Sequence, residues 1–413
     1  MSRREQGRDA PYCDAMTAVL GPVASHGGRI RGRLPTAGEV RPLLRPLALF
    51  AASRVLVFFA SAAGAFLSSF GGRPILAGDW PQLTSTGVGA LDGLLRWDST
   101  WYTAIATDGY PDTPLDERIA FFPLLPGLVR AVVRVTGLAP ETAGLLLALL
   151  TGAVATVLVW VLGRRLAGDR AADRMAALFA FFPGSFTLSM VYAEGLLLIF
   201  ALATLLALDS RRWVWAGIFA ALAGATRPNA VAVGAACAWA AFVAVRSERD
   251  WRSLLAPALA PLGTLAFFVH LYRRTGDPFA WFTAQREIWQ ERIDPTAQLD
   301  RVGVLLDDPL SPLGALNTWL PVVGIVVLVV GFVLLWRWRP GGAMVTYAVV
   351  ASALVLTSAT IGARPRMVLT IFPLVMALAY GARDIWFGVL LAVSAGGLAV
   401  LTVLSVASML VTP

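Results

Sequence analysis

Apolar blocks long enough to cross a lipid bilayer recur from residue 45 to residue 410, and no other feature restricts the fold of this sequence so strongly. A helix needs roughly 20 predominantly apolar residues to cross the hydrocarbon core. Only a helix or a closed barrel can satisfy its own backbone there. Strands of alternating polarity are absent, which removes the barrel. The blocks predict spans at 45–68, 140–162, 174–190, 192–208, 213–225, 229–245, 254–271, 317–335, 343–361, 367–381 and 385–410. The expected fold class is an all-α polytopic membrane protein with about 11 transmembrane helices.

Residues 1–41 are polar, rich in Gly, Arg and Pro, and lack an apolar period, so they read as a disordered cytoplasmic tail ahead of a membrane domain at 42–413. The tail is too long and polar for a cleavable signal peptide, so the first span is expected to be an uncleaved anchor. All 34 basic residues are arginine, a bias of GC-rich bacterial coding rather than a mechanism. Cys13 and Cys237 are too differently placed to pair. The net charge of +8 invites a nucleic-acid reading, but the arginine distribution explains it better. Arginines outnumber acids in the tail and at 163–174, 209–212, 246–252 and 337–339, whereas acids outnumber arginines over the alternate segments. That bias predicts a cytoplasmic N-terminus in a bacterial plasma membrane and no nucleic-acid partner.

Arg96, Asp98, Glu194, Arg227, Arg286 and Arg364 then fall on the extracytoplasmic side, where one site can collect them. Two loops on that side are long, 69–139 and 272–316, and each is expected to carry a short helix lying on the membrane. In the first, Trp97, Trp101 and Ile105 share one face, with Asp98, Tyr102 and Gly109 on the adjacent one. In the second, Asp277 is an expected N-cap with Pro278 at the first helical position, and Phe282, Trp289 and Ile293 form an apolar stripe.

The polar residues admit two readings each. Asp98, in Arg96-Trp97-Asp98, is either a general base at the lipid–water boundary or the N-cap of the helix that begins D-S-T-W-Y, with Arg96 on lipid phosphate. Glu194 stands in a nearly charge-free run, SMVYAEGLLLIF, and is either functional or an interfacial carboxylate. Arg227, before the helix-breaking Pro228, either grips a phosphate or snorkels to a headgroup. Arg364 and Arg366 run against the positive-inside trend and are candidates for a substrate phosphate or for lipid headgroups. There is no P-loop and no Gly-rich dinucleotide fingerprint, which argues against a cytoplasmic nucleotide engine. His26 and His270 are too few for a histidine metal cluster, so no metal ligand is assigned.

RWDSTWYTAIATDGY followed by AFFPLLPGLVR, then FFPGSFTLSMVYAEGLLL, ATRPN, TGDPFAWFTAQ and ARPRMVLTIFPL resemble the PIG-V-like mannosyltransferases, particularly their bacterial members, of the GT-C class of polytopic glycosyltransferases. The resemblance runs in scattered blocks over about 45–385 and omits the tail and the last span. It implies transfer of mannose from a polyprenyl-phosphate carrier to a glycolipid or glycoprotein acceptor at the outer face, with no required cofactor, though a carboxylate-bound divalent ion is compatible with it. It maps the base onto Asp98 and places Glu194 and Arg227 at the Tyr-x-Glu and Arg-x-Asn positions. Arg364, Arg366 and Arg96 are then expected to meet phosphate, and Trp97, Trp101 and Tyr102 to form a stacking wall for sugar or lipid. Gly195, where eukaryotic members usually carry serine, and Met367, where bacterial relatives often have tyrosine, depart from the pattern. A transporter of polyprenyl-linked glycans that makes and breaks no bond is the alternative; it needs polar residues at several depths.

Overall fold

A computed structural model describes residues 41–70, 89–307 and 314–407, so the expected disordered tail lies almost wholly outside the described residues. Leaving aside 3-10 segments and α-helices of five residues or fewer, the helices are α1 (Leu44–Phe70), α2 (Asp98–Asp108), α3 (Leu124–Thr136), α4 (Pro140–Ala167), α5 (Asp169–Ala180), α6 (Glu194–Asp209), α7 (Trp213–Gly224) and α8 (Val231–Glu248). They continue as α9 (Leu262–Thr275), α10 (Ala280–Glu287), α11 (Ala297–Asp307), α12 (Gly314–Trp338), α13 (Gly342–Leu356), α14 (Pro365–Thr370), α15 (Phe372–Gly381) and α16 (Asp384–Ala407). Among the described residues there is no strand, only an isolated bridge between Ile293 and Ser358.

Among the described residues, six helical stretches are long and apolar enough to cross a membrane, and a seventh is reached if the pair Pro183–Ser189 and Glu194–Asp209, bent by 105°, counts as one span. The chain is thus a multi-pass membrane protein, and the expected count of about 11 transmembrane helices is not confirmed. The blocks at 213–225, 343–361 and 367–381 form helices of 12, 15 and 10 residues. Block 174–190 is the end of α5 and then a 3-10 segment, because Pro183 cannot continue the helix. Pro228 follows the end of α7, and α14 parts from α15 at Ile371, two residues before Pro373. Broken backbone at membrane depth is tolerated where protein covers it. Accordingly α15 is buried at every position from Phe372 to Ala379.

Around that central helix, α12 and α5 pack on α15, α4 lies against α5 and α6, α8 against α13, and α16 runs along α1. Lipid supplies no hydrophobic drive between helices, so close packing of rings and small residues holds the bundle. Tyr347 and Phe372, with ring centroids 5.1 Å apart, are one such contact.

The two loop helices differ from expectation. Helix α2 does not lie open on a membrane surface: Ser99–Thr103, Ile105 and Ala106 are buried on both faces, because α3 and the 117–122 turn cover it. In the second loop Asp277 Oδ1 accepts the Phe279 N–H at 2.8 Å, but the helix begins at Ala280 and ends at Glu287. Trp289 and Ile293 therefore lie beyond α10, and the three-residue stripe does not form; Phe282 and Ile293 are exposed.

Candidate active site

Trp97 takes φ 63° and ψ −130°, a conformation that costs a bulky residue of order 1–3 kcal/mol and persists only where surroundings enforce it. They do so through the last helix. Arg96 Nη1 donates to Val406 O at 2.5 Å, and Trp97 Nε1 donates to Ser405 O at 3.4 Å. Flanked by these two anchors, the chain turns sharply and Asp98 becomes the first residue of α2. Its carboxylate does not cap that helix; Oδ2 instead meets Arg366 Nη1 at 2.8 Å. The capping reading of Asp98 is corrected, and Arg96 is directed to α16 rather than into the site. Tyr192 completes the placement, its hydroxyl accepting the Asp98 N–H at 3.3 Å.

Glu194 is reached by a second break. The 105° bend between Pro183–Ser189 and α6 puts it at the first position of α6, where a helix N-terminus favours an acid. It is fully buried, with Arg227 Nη1 2.5 Å and Arg366 Nη1 3.9 Å from its Oε1. Arg227 enters from a third break, between Gly224 and Pro228, in extended conformation. Arg366 comes from a fourth, the second residue of α14 behind Pro365, and its guanidinium also lies 5.5 Å from the centroid of the Tyr192 ring. The result is a chain of alternating charge, Asp98–Arg366–Glu194–Arg227, with no net formal charge.

The chain is close but incompletely bonded. Both Glu194 carboxylate oxygens, Arg227 Nη1 and Arg366 Nε are buried without a well-aligned hydrogen bond, so the Glu194–Arg227 contact is an ion pair by proximity. Buried polar atoms left this way call for an explanation. For the two arginine N–H groups, donor capacity that can meet a bound anion is one that suits the residue type.

Other expected site residues are placed differently. Arg364 caps the start of α14, with Nε donating to Ile361 O at 3.1 Å, and its neighbour Arg366 is the one that meets the acids. Trp101 stacks at 6.4 Å on Phe121 and meets Trp289 edge-on at 6.3 Å, contacts that a stacking sugar has to displace. Trp97 and Tyr102 are likewise buried. Burial pushes the Tyr102 hydroxyl well above its ordinary pKa, against the pull of Arg227. Among the described residues, no three metal-ligating side chains converge.

Three contributors escaped the sequence reading. Arg54, inside the first span, donates to Ser185 O, Ala180 O and the hydroxyls of Ser185 and Ser189 at 2.7–3.1 Å, satisfying groups freed by the break after α5. A charge in mid-span was the signal for it. Tyr192 was visible only as part of the Tyr-x-Glu motif. Gly184 had no local signal: a Cβ there would sit 2.6 Å from Arg366 N and closer still to Pro365 O, so its absence lets α14 approach. Gly195 is explained the same way, since a side chain there would run into Thr151.

Residues 81–246 match the model of a family described as Mannosyltransferase (PIG-V). Comparison with curated protein sequences finds no match. Among solved structures, the chain is similar to ArnT from Cupriavidus metallidurans bound to undecaprenyl phosphate, with TM-score 0.50 and 16% identity over 86% of this chain and 62% of that one. It is also similar to the Archaeoglobus fulgidus oligosaccharyltransferase in the apo form, with TM-score 0.44 and 14% identity over 86% and 56%. The chain therefore spans less than two thirds of the length of either. The matched stretch holds Asp98, Glu194 and Arg227 and ends before Arg366. Residues 81–246 are thus similar to the mannosyltransferase (PIG-V) family, and the fold is similar to that of the ArnT structure.

Proposed function

We propose that this protein is a membrane glycosyltransferase that moves mannose from polyprenyl-phosphate-mannose to a lipid-linked or protein acceptor on the extracytoplasmic face. The observation that carries the reading is the Asp98–Arg366 ion pair, which opens a buried charge chain whose other members lie within the family-matched stretch. The undecaprenyl phosphate bound to the similar ArnT structure supports a lipid-phosphate donor. Such a donor is already activated, since its phosphate is the leaving group, and it needs no nucleotide at the reaction site.

In this mechanism Asp98 takes the proton of the acceptor hydroxyl, whose oxygen attacks the anomeric carbon in line. The bond from that carbon to the phosphate oxygen breaks with inversion, and its electron pair leaves with the polyprenyl phosphate. Arg366, with Arg227 behind it, stabilises the growing phosphate charge. Glu194 is fully enclosed, so its part is to orient the two arginines rather than to touch sugar. Arg364 takes the secondary role at the start of α14. The scheme requires no metal ion.

The test is transfer of radiolabelled mannose from synthetic polyprenyl-phosphate-mannose in membranes holding matched amounts of wild type or Asp98→Asn, with native acceptors present. Transfer by wild type and its loss in Asp98→Asn support the reading. Equal transfer by both removes Asp98 as the base. Absence of transfer in both removes this donor and acceptor set.

A further inference from the structure

Between α10 and α11 the chain crosses from the helix of Asp98 to the loop that leads into Arg366, and it is fastened at both ends. On one side Trp289 packs against Trp101 and Phe121, with centroids at 6.3 and 5.7 Å, and its Nε1 donates to Glu117 O at 3.4 Å. Two residues on, the Glu291 carboxylate accepts from Ser358 Oγ at 2.9 Å, from Ala359 N at 3.0 Å, and from both the backbone and the hydroxyl of Thr360. Gln290 between them takes φ 51°, the left-handed conformation uncommon for a side chain of its size. Backbone bonds from Asp294 N to Thr357 O at 2.7 Å and from Ala359 N to Arg292 O at 3.1 Å continue the seam. Arg301 closes it on Ala359 O and Thr360 O at 2.8 and 2.7 Å.

The fastened loop runs directly into the site. Ser358 Oγ accepts the Ile361 N–H, Arg364 N donates to Gly362 O, and Arg364 O accepts the N–H groups of Met367 and Val368. Arg366 lies between those last contacts. Its partner Asp98 begins the helix on which Trp289 rests.

We propose that Trp289 and Glu291 are positioning residues that hold the two halves of the Asp98–Arg366 pair in register. Each acts through the element it grips, Trp289 through the helix that begins at Asp98 and Glu291 through the loop that leads into Arg366. A misplacement of about 1 Å between a base and an anion-stabilising arginine is enough to cost catalysis heavily. The kinetic half of the proposal rests on the glycosyl-transfer reading, and the structural half does not.

The experiment uses the full chain in lipid nanodiscs as wild type, Glu291→Gln, Trp289→Ala, Trp289→Phe and Glu287→Gln, the last an exposed control on the same loop. Amide hydrogen exchange and mannose transfer from polyprenyl-phosphate-mannose are measured on the same samples. In Glu291→Gln, peptides covering 364–368 are expected to exchange about tenfold faster, with 196–208 unchanged. The kcat is expected to fall about tenfold at a KM within about twofold of wild type. Trp289→Ala loosens 98–105 in the same way, Trp289→Phe restores most of it, and Glu287→Gln changes neither readout. Unchanged exchange at 364–368 in Glu291→Gln, a uniform rise across the whole chain, or a raised KM at constant kcat overturns the proposal. If wild type transfers nothing, the glycosyl-transfer reading fails and the exchange result alone decides the positioning role.

Discussion

The two ends of the bundle use the same residue types for opposite ends. At one, Asp98, Arg366, Glu194 and Arg227 are enclosed, with the Glu194 side chain 0% and the Arg366 side chain 10% exposed. At the other, Arg45–Asp173, Arg164–Asp169, Arg174–Asp384 and Arg211–Glu248 join the tips of helices in the open, and the Asp384 side chain is 77% exposed. Water screens the exposed pairs, so they add little beyond holding long side chains in place. Inside the protein the same attraction is much stronger, but each charge has been stripped of water and a missing partner is not replaced. The open end can lose a charge cheaply. The enclosed end cannot, and charges that are costly to keep and incompletely bonded mark the end where chemistry is expected.

This contrast is most sharply broken or kept by Asp98→Asn. It is nearly isosteric and removes a base, so kcat for mannose transfer is expected to fall by about 10²–10⁴-fold with little change in KM. An unaltered rate removes the enclosed end's claim to chemistry. Next, Glu194→Gln leaves Arg227 and Arg366 with one acid between them, and a loss of about 3–5 kcal/mol in unfolding stability is expected, read by thermal melts in nanodiscs. The added substitution Arg227→Gln should recover part of that loss, because the two sites are coupled.

Gly184→Ala tests whether geometry alone matters at that end. The new methyl meets the backbone of Pro365 and Arg366, and about 1–3 kcal/mol of overpacking is expected together with reduced transfer. Normal transfer in a stably folded Gly184→Ala shows that α14 can retreat without harm.

Asp116 is an intermediate case, partly enclosed and accepting three hydrogen bonds from Arg118, from its backbone N–H and Nε at 2.9 Å and from Nη2 at 2.8 Å. Burial raises its pKa, but the hydrogen bonds and charge of Arg118 outweigh that and hold it below the ordinary aspartate value. A carboxylate depressed in the folded state stabilises fully above its unfolded pKa, and the contribution disappears as pH falls through the folded one. Melts of wild type and Asp116→Asn should therefore differ at neutral pH and converge in acid. Divergence in acid reverses the sign of the argument. The smallest effect is expected at the open end, where Glu248→Gln should leave the melting temperature and transfer unchanged within error. A large drop there erases the distinction between the two ends.

Much of this was legible one residue at a time. Asp98, Glu194 and Arg227 stand out because ionisable groups are rare in apolar sequence, and Pro228 marks the helix break beside Arg227, whereas Pro183 and Pro373 stand inside blocks that read as continuous spans. What misled was treating each feature within its own segment. D-S-T-W-Y reads as a capped helix start, yet the Asp98 carboxylate is taken by an arginine 268 positions away. Trp101 reads as part of a stacking wall for sugar or lipid, yet Phe121 and Trp289 cover it. The last span carried no motif, yet Ser405 and Val406 hold Arg96 and Trp97 in place.

By itself the sequence determined that this chain enters a membrane as helices, that one break falls at Pro228, and which few residues carry charge. These are local properties of hydropathy and backbone chemistry, and they need no partner. Only the tertiary structure decided that Arg366 rather than Arg364 meets the acids, that Glu194 is sealed behind its arginines, and that one strap between α10 and α11 touches both halves of the site. Pairing is a property of distance in space. Breaks at four separate places in the chain bring these side chains within 4 Å of one another, and no segment holds that information alone.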